Sequence, residues 1–348
     1  MTRYTASLSR LSHPTESGSL YTEAAVHITF LRMLAVLTCS ALASTALSQQ
    51  YPIRPVRLVV PVAAGGSYDT VARILGRALS DKLGQQVVID NRAGAAGNIG
   101  AGVVAKSPAD GYTLLFAGTT FVINASLYGS TLPYDAVLDF SPVSLLAKTA
   151  QLLTAHPSVP AQNLAQLIAL ARKNPGKLTY GTGGSGTPNH LVAELLKAAA
   201  GIDLLHVPFK GGSAPVVALL GGQIDLFVSA PTAVLTYVKD RRLRAIAVST
   251  AQRSPVLPDT PTISESGLRG FDVATWYCLL APARTPSAIV EKLRGGVVAT
   301  LETPEIRKRL LDEGAVPETS TPEGLANFIR TEITLWEKAV KVSGAKVD

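Results

Sequence analysis

Two glycine-rich junctions, AAGGSYD at 63–69 and GTGGSGTPNH at 181–190, hold the residues of this chain best suited to chemistry. In each, a short apolar run of strand type empties into glycines, and an amphipathic helical pattern starts at once. The first turn of a helix offers backbone N–H groups with no intrahelical acceptor, and the helix dipole puts partial positive charge at the same place. Glycine lets a ligand approach that backbone closely. Gly65 and Gly66 in the first junction, and Gly183, Gly184, Ser185, Gly186 and Thr187 in the second, are therefore candidate anion-binding residues. Thr187 suits the N-cap of the second helix and Pro188 its first turn. Two such junctions far apart in the chain suggest two lobes closing on one small acidic molecule.

Chemistry of other kinds is poorly provided for. GTGGSG at 181–186 has the spacing of a dinucleotide fingerprint, but the acid that should end the next strand is missing: Asp203 precedes the run 204–208 and Glu194 falls mid-helix. Read as a nucleophile elbow around Ser185, the motif has Thr187 where its last glycine belongs, and His190 is too near in the chain for triad geometry. Lys210 precedes Gly211 and Gly212 instead of closing a phosphate loop, and the five histidines show no metal-ligand spacing. No catalytic residue, metal ligand or cofactor is expected.

Around the glycines stand a few polar side chains with two readings each. Asp69 lies in the first turn of its helix, where a carboxylate complements the dipole. It would also accept from a ligand ammonium, a hydroxyl or an ordered water. His190 reads either as a capping side chain or as an organiser of donors and waters. Lys210, in HVPFKGG at a strand end, suits a cleft rim or a surface ion pair. Thr119, Thr120 and Asn124 follow the strand-like run 112–117, and Ser229 and Thr232 follow 224–229. Ligands of open α/β sheets sit at the carboxyl ends of strands, so these neutral groups are well placed for the distal part of a ligand.

The elements that must position these groups alternate along the chain. Strand-like runs at 57–62, 86–90, 112–117, 178–180, 204–208, 224–229 and 243–249 are interleaved with helical patterns at 68–83, 98–106, 163–174, 188–200, 213–221, 287–302 and 322–341. Such alternation predicts an α/β fold in two lobes, each a mostly parallel sheet flanked by helices. No Ser- or Pro-rich linker separates two halves, as expected if strands cross between the lobes. The long C-terminal helices need a sheet to cover. The expected division is therefore 49–152 plus 275–348 for the first lobe and 153–274 for the second.

The N-terminus points out of the cytoplasm. MLAVLTCSALASTAL at 33–47 is an uncharged apolar run, preceded by Arg32 and followed by a small-residue site at Ala46–Ser48. That is the order of a secretory signal peptide, and it is shorter than the roughly 20 apolar residues a membrane span needs. Residues 1–31 are long and polar for such a signal, which favours a start codon assigned too far upstream. Cleavage after Ser48 removes Cys39 and leaves Cys278 alone, so the mature chain is expected to hold no disulfide. Cleavage also removes Arg3, Arg10, Arg32, Glu16 and Glu23 and takes the net charge from +7 to +6. A modest positive excess steers anions. With no long Lys/Arg run and few aromatics, it does not describe a nucleic-acid binder.

The chain resembles the extracytoplasmic solute-binding receptors of tripartite tricarboxylate transporters, the Bug family. The resemblance is carried in order by YPIRPVRLVVPVAAGGSYD, VVIDNRAGAAGNIGAGVVAKSPADGYTLL, LTYGTGGSGTPNHLVAELL, HVPFKGGSAPVVALLGGQIDLF, LRAIAVST and LPDTPTISESG. It implies a two-lobed Venus-flytrap fold that holds a ligand carboxylate between the loops 61–69 and 181–190, through backbone amides and two ordered waters. Ala64 joins the expected contacts on that ground. The chain departs from the family at Val62, commonly aromatic, at Ala64, commonly proline, and at Cys278, commonly glycine. The expectation is a periplasmic, monomeric receptor that is not embedded in the membrane and presents a small carboxylate to permease subunits. An extracytoplasmic enzyme using Asp69 or His190 as a base, and a ligand-sensing module, are the alternatives.

Overall fold

Apolar runs such as Leu114–Ala117 and Leu226–Val228 are buried on both faces of their sheets, and a glycine C-cap ends five of the ten α-helices among the described residues. A computed structural model describes residues 51–209 and 213–346; the signal-like segment and Lys210 lie outside the described residues. The elements fall within the compact unit that starts at Pro52. β1 (Val56–Val60) leads through the first junction into α1 (Ser67–Leu83). Val71, Ile74, Leu75, Ala78 and Leu79 of α1 are buried along one stripe, and Gly84 closes the helix in the left-handed conformation at φ 68°. There follow β2 (Val87–Asn91), α2 (Asn98–Ala105), β3 (Thr113–Gly118), α3 (Thr119–Tyr128) and β4 (Phe140–Ala150).

The second half of the unit repeats the alternation. It runs through β5 (Leu152–Ala155), α4 (Leu164–Lys173), β6 (Thr179–Thr182), α5 (Pro188–Ala200), β7 (Leu205–Pro208), α6 (Ala214–Leu220), β8 (Leu226–Ser229), α7 (Leu235–Lys239) and β9 (Arg244–Val248). The chain then returns through β10 (Ala274–Pro282), α8 (Ser287–Leu301), α9 (Pro304–Asp312), β11 (Ala315–Pro317) and α10 (Pro322–Ser343).

Two sheets result, with strand orders β11-β4-β10-β3-β1-β2 and β7-β6-β8-β5-β9. The βαβ units are parallel, pairing β1 with β2 and β3, and β6 with β7 and β8. The remaining pairs are antiparallel: β10 with β3 and β4, β11 with β4, and β5 with β8 and β9. The sheets are thus mixed, because strands that pass between lobes enter each sheet against its parallel half.

β4 and β5 are separated only by Gln151, and β9 returns to β10 alongside. The crossing is stitched by short polar contacts. The Gln151 N–H donates to Ser249 Oγ at 2.9 Å, and the Ser249 N–H donates to Gln151 O at 2.8 Å. Ser249 Oγ donates onward to Val273 O. α10 packs against α3, α5 and β4, so one helix braces elements of both lobes. Among the described residues no helix is long and apolar enough to cross a membrane.

Candidate functional site

The first junction is shaped from beneath by Asp69. Its carboxylate, 2% exposed, accepts from the Gly65 N–H at 2.9 Å, from Arg73 Nε at 2.8 Å and from Asn91 Nδ2 at 2.9 Å. Asn91 Nδ2 also donates to Val62 O at 3.1 Å, so both ends of the glycine turn are tied to one side chain pair. Burial pushes the Asp69 carboxyl up, but hydrogen bonds from Arg73, Asn91 and Gly65 outweigh it and hold it below the usual carboxylate range. The Gly65 amide is therefore directed into the protein. Asp69→Asn places an NH₂ group among these donors and is expected to cost about 1.5–3 kcal/mol at neutral pH. A depressed folded pKa means this advantage exists above the unfolded pKa and fades as pH falls through the folded one. The two proteins should thus converge in stability in acid, which urea unfolding at pH 7 and pH 3 would read.

The second junction is held by hydroxyls and a histidine. Thr182 Oγ1 accepts from the Gly184 N–H at 3.2 Å, and Thr187 Oγ1 donates to Gly184 O at 2.7 Å. Thr187 is the N-cap residue of α5, yet its hydroxyl faces the loop and makes no cap hydrogen bond. His190, in the first turn of α5, ties the loop instead of capping the helix: its Nδ1 accepts from the Gly186 N–H, one residue before the N-cap, at 3.1 Å. The ring is buried and stacks on His206 at 4.1 Å between centroids, and His206 stacks on Tyr180 at 4.9 Å. His206 Nε2 lies 2.7 Å from Thr182 Oγ1, so the stack grips the loop at two points. Gly184 at φ 135° and Gly186 at φ 72° adopt turns that L side chains resist. A Cβ on Gly186 would come within 2.6 Å of Leu127 Cδ1, on α3 across the cleft.

The two junctions face one cleft of about 510 Å³. Val62, Ala63 and Tyr68 line it from the first, and Ser185, Gly186, Thr187 and Pro188 from the second. A smaller arm of about 250 Å³ shares Tyr68, Thr120 and Pro188 and continues to Thr119, Gln151, Asn189, Ser229 and Thr275. Of the residues singled out in the sequence, Thr120, Asn124, Ser185, Gly186 and Thr187 line the larger arm, while Thr119 and Ser229 line the smaller. Ala64, Gly65 and Gly66 are exposed at the shoulder of the first loop, and Gly183 and Gly184 are half-buried; none of these five is a wall residue. Asp69 and His190 lie behind the walls.

Thr119, Thr120 and Asn124 do not extend from a strand end in a loop. They belong to the first turns of α3, which starts directly after Gly118. Thr119 Oγ1 accepts the Trp276 N–H at 2.9 Å, and Asn124 Nδ2 donates to Ala96 O at 2.9 Å and to Asn98 Oδ1 at 2.7 Å. Tyr68, Leu115, Phe121, Leu127 and Tyr134 line the cleft without having been singled out. Tyr68 had a usable signal, one residue from Asp69 in the first helical turn. The others are apolar residues whose pattern reads only as core.

Two α/β sheets joined by crossing strands around a cleft define a periplasmic binding protein fold. The chain belongs to the family described as tripartite tricarboxylate transporter family receptor, whose sequence model matches residues 71–344. It is similar to BugT of Bordetella pertussis, at 35% identity over 322 residues, 91% of this chain and 98% of that one. An R. palustris protein solved with adipate shares the fold at TM-score 0.75 and 38% identity, over 85% of this chain and 99% of that one. MatC of Rhodopseudomonas palustris, solved with bound malate, matches at TM-score 0.72 and 34% identity, over 83% and 100% respectively.

Proposed function

We propose that this protein is an exported periplasmic receptor that captures a small carboxylate between its lobes and hands it unchanged to the permease subunits of a tripartite transporter. The observation that carries this reading is the meeting of two helix-starting glycine junctions, one on each sheet, at a single cleft. Backbone amides and helix dipoles at that meeting point suit an anion without a counter-charged side chain. Relatives solved with adipate and malate support an acid as the ligand.

The enzyme alternative lacks a free base. Asp69 spends its oxygens on Gly65, Arg73 and Asn91, and His190 spends Nδ1 on Gly186, so both candidates organise loops. We assign Ser185 and Thr187 with the first-loop backbone at 63, 64 and 66 to the carboxylate, Thr120 and Asn124 to the rest of the ligand, and Asp69 and His190, which hold the Gly65 and Gly186 amides, to positioning. Native mass spectrometry of protein exported from a Gram-negative host should reveal a retained small acid, unchanged on incubation. Ala63→Trp tests the site. Ala63 is exposed and lines the cleft, so an indole there should leave folding intact and weaken acid binding by about ten-fold or more in calorimetric titration. Unaltered affinity in a folded variant would move the ligand elsewhere.

A further inference from the structure

We infer that the ligand is a monocarboxylate with an aromatic or similarly apolar body, an inference that rests on the carboxylate-receptor reading above. The buried floor of the larger arm consists of Leu115, Ala117, Phe121, Tyr134 and Asn124. Phe121 and Tyr134 lie parallel, with centroids 5.5 Å apart and planes 3° from one another, and Tyr68 forms a half-buried side wall. Among the described wall residues of both arms a single one is charged, Lys346, and it is exposed beyond the end of α10.

The side-chain donors of the aromatic floor and side wall are committed elsewhere, and those free to serve a ligand, on Thr120, Tyr128, Ser185 and Asn189, stand on the other walls. Asn124 Nδ2 donates to Ala96 O and Asn98 Oδ1, the Tyr134 hydroxyl to Asn98 Oδ1 at 2.9 Å, and the Tyr68 hydroxyl to Phe116 O at 2.9 Å. In the smaller arm Gln151 Nε2 donates to Thr275 Oγ1, Thr275 Oγ1 donates to Thr149 O, and Ser229 Oγ donates to Ala230 O. A carboxylate can only accept. One carboxylate finds the helix-start amides between the loops. A second, set on the aromatic floor, would leave water for a surface whose side-chain protons already point into the protein and that holds no cation among the described residues. An ionised group without such a partner is among the costliest to bury. A ring in the same place gains apolar contact with Phe121 and Tyr134 instead. The expected ligand thus differs from the diacids seen in the two relatives.

Three acids of matched length decide the matter: 3-phenylpropionate, hexanoate and adipate, titrated calorimetrically into the full chain after retained ligand is removed by unfolding and refolding. Adipate is hexanoate with a second carboxylate, and 3-phenylpropionate carries a ring where adipate carries that charge. 3-Phenylpropionate should bind about ten-fold or more tighter than adipate, with hexanoate also ahead of adipate. Val62→Arg, which adds a cation to the wall, should shift the ratio toward adipate by a similar factor. Adipate binding as tightly as 3-phenylpropionate in the wild-type protein overturns the inference and leaves the carboxylate reading standing. Binding of none of the three also overturns it, and the retained acid found by native mass spectrometry then decides the carboxylate reading separately.

Discussion

Replacing Glu332 by alanine should lower the unfolding free energy by about 3–5 kcal/mol, the largest stability effect we expect from a single side chain outside the cleft. Glu332 stands on α10, and its Oε2 accepts from two indoles, Trp276 Nε1 on β10 at 2.5 Å and Trp336 Nε1 at 2.9 Å. Both tryptophans are almost wholly buried. An alanine leaves two buried N–H donors without an acceptor, each costing about 1–3 kcal/mol, and removes the atoms that fill the space between them. Glu332→Gln separates this role from charge. Burial pushes the Glu332 carboxyl up, although the two indoles and the Lys148 ammonium pull the other way. A neutral amide that keeps one oxygen between the indoles should therefore stay within about 1 kcal/mol of wild type. Urea unfolding of both variants gives the answer. Alanine as stable as glutamine would show that water replaces the carboxylate.

That contact also shows what the sequence concealed. Glu332 and Trp336 are four apart on an amphipathic pattern, which is legible, but their partner Trp276 is 56 residues away on a strand the apolar runs did not mark out. β4, β5 and β10 escaped for one reason. Their runs, FSPVSLLAKTA, LLTA and ATWYCLLAP, lack flanking glycine turns and adjoin each other or an irregular segment, so nothing punctuates them. These are the strands that join the lobes or run antiparallel, and they make the sheets mixed.

The βαβ units, by contrast, were legible to within a residue or two, because glycine junctions and a change of period mark both ends of each helix. At the cleft the backbone part was visible for the same reason. The walls were not: Leu115, Phe121 and Tyr134 differ from ordinary core residues only in facing a cavity, which no local pattern records. α3 reads as a strand-end loop in the sequence because its polar residues, Thr119, Thr120 and Asn124, do not fall on one outer face. They point inward, where Asn98, Trp276 and the cleft meet them.

Acid should destabilise the protein and loosen the second loop through His190. Burial pushes its imidazole down to about 4; the stacked His206 adds to the effect, Glu194 at 4.0 Å opposes it, and Lys197 favours it. Glu194 is already engaged by the Tyr180 hydroxyl and by Lys197 Nζ at 2.8 Å, so it offers the imidazolium little. Nδ1 must stay unprotonated to accept the Gly186 N–H. A folded pKa depressed below the unfolded value near 6.5 means stability is complete above that pH and declines as pH falls toward about 4. Two and a half pH units at 1.36 kcal/mol each set the loss at about 3 kcal/mol. His206, also held down by burial, adds to the same window. His190→Gln keeps an acceptor for Gly186 and removes the proton, so the variant should lose markedly less stability between pH 7 and pH 4.5. Its affinity for the ligand should also outlast the wild type's as pH nears 4, where protonated Nδ1 turns a hydrogen bond into a repulsion and frees the Gly186 amide's loop. Parallel stability curves for the two proteins across that range would mean that His190 titrates as it does in the unfolded chain, and that the loop is held by Thr182 and Thr187 alone.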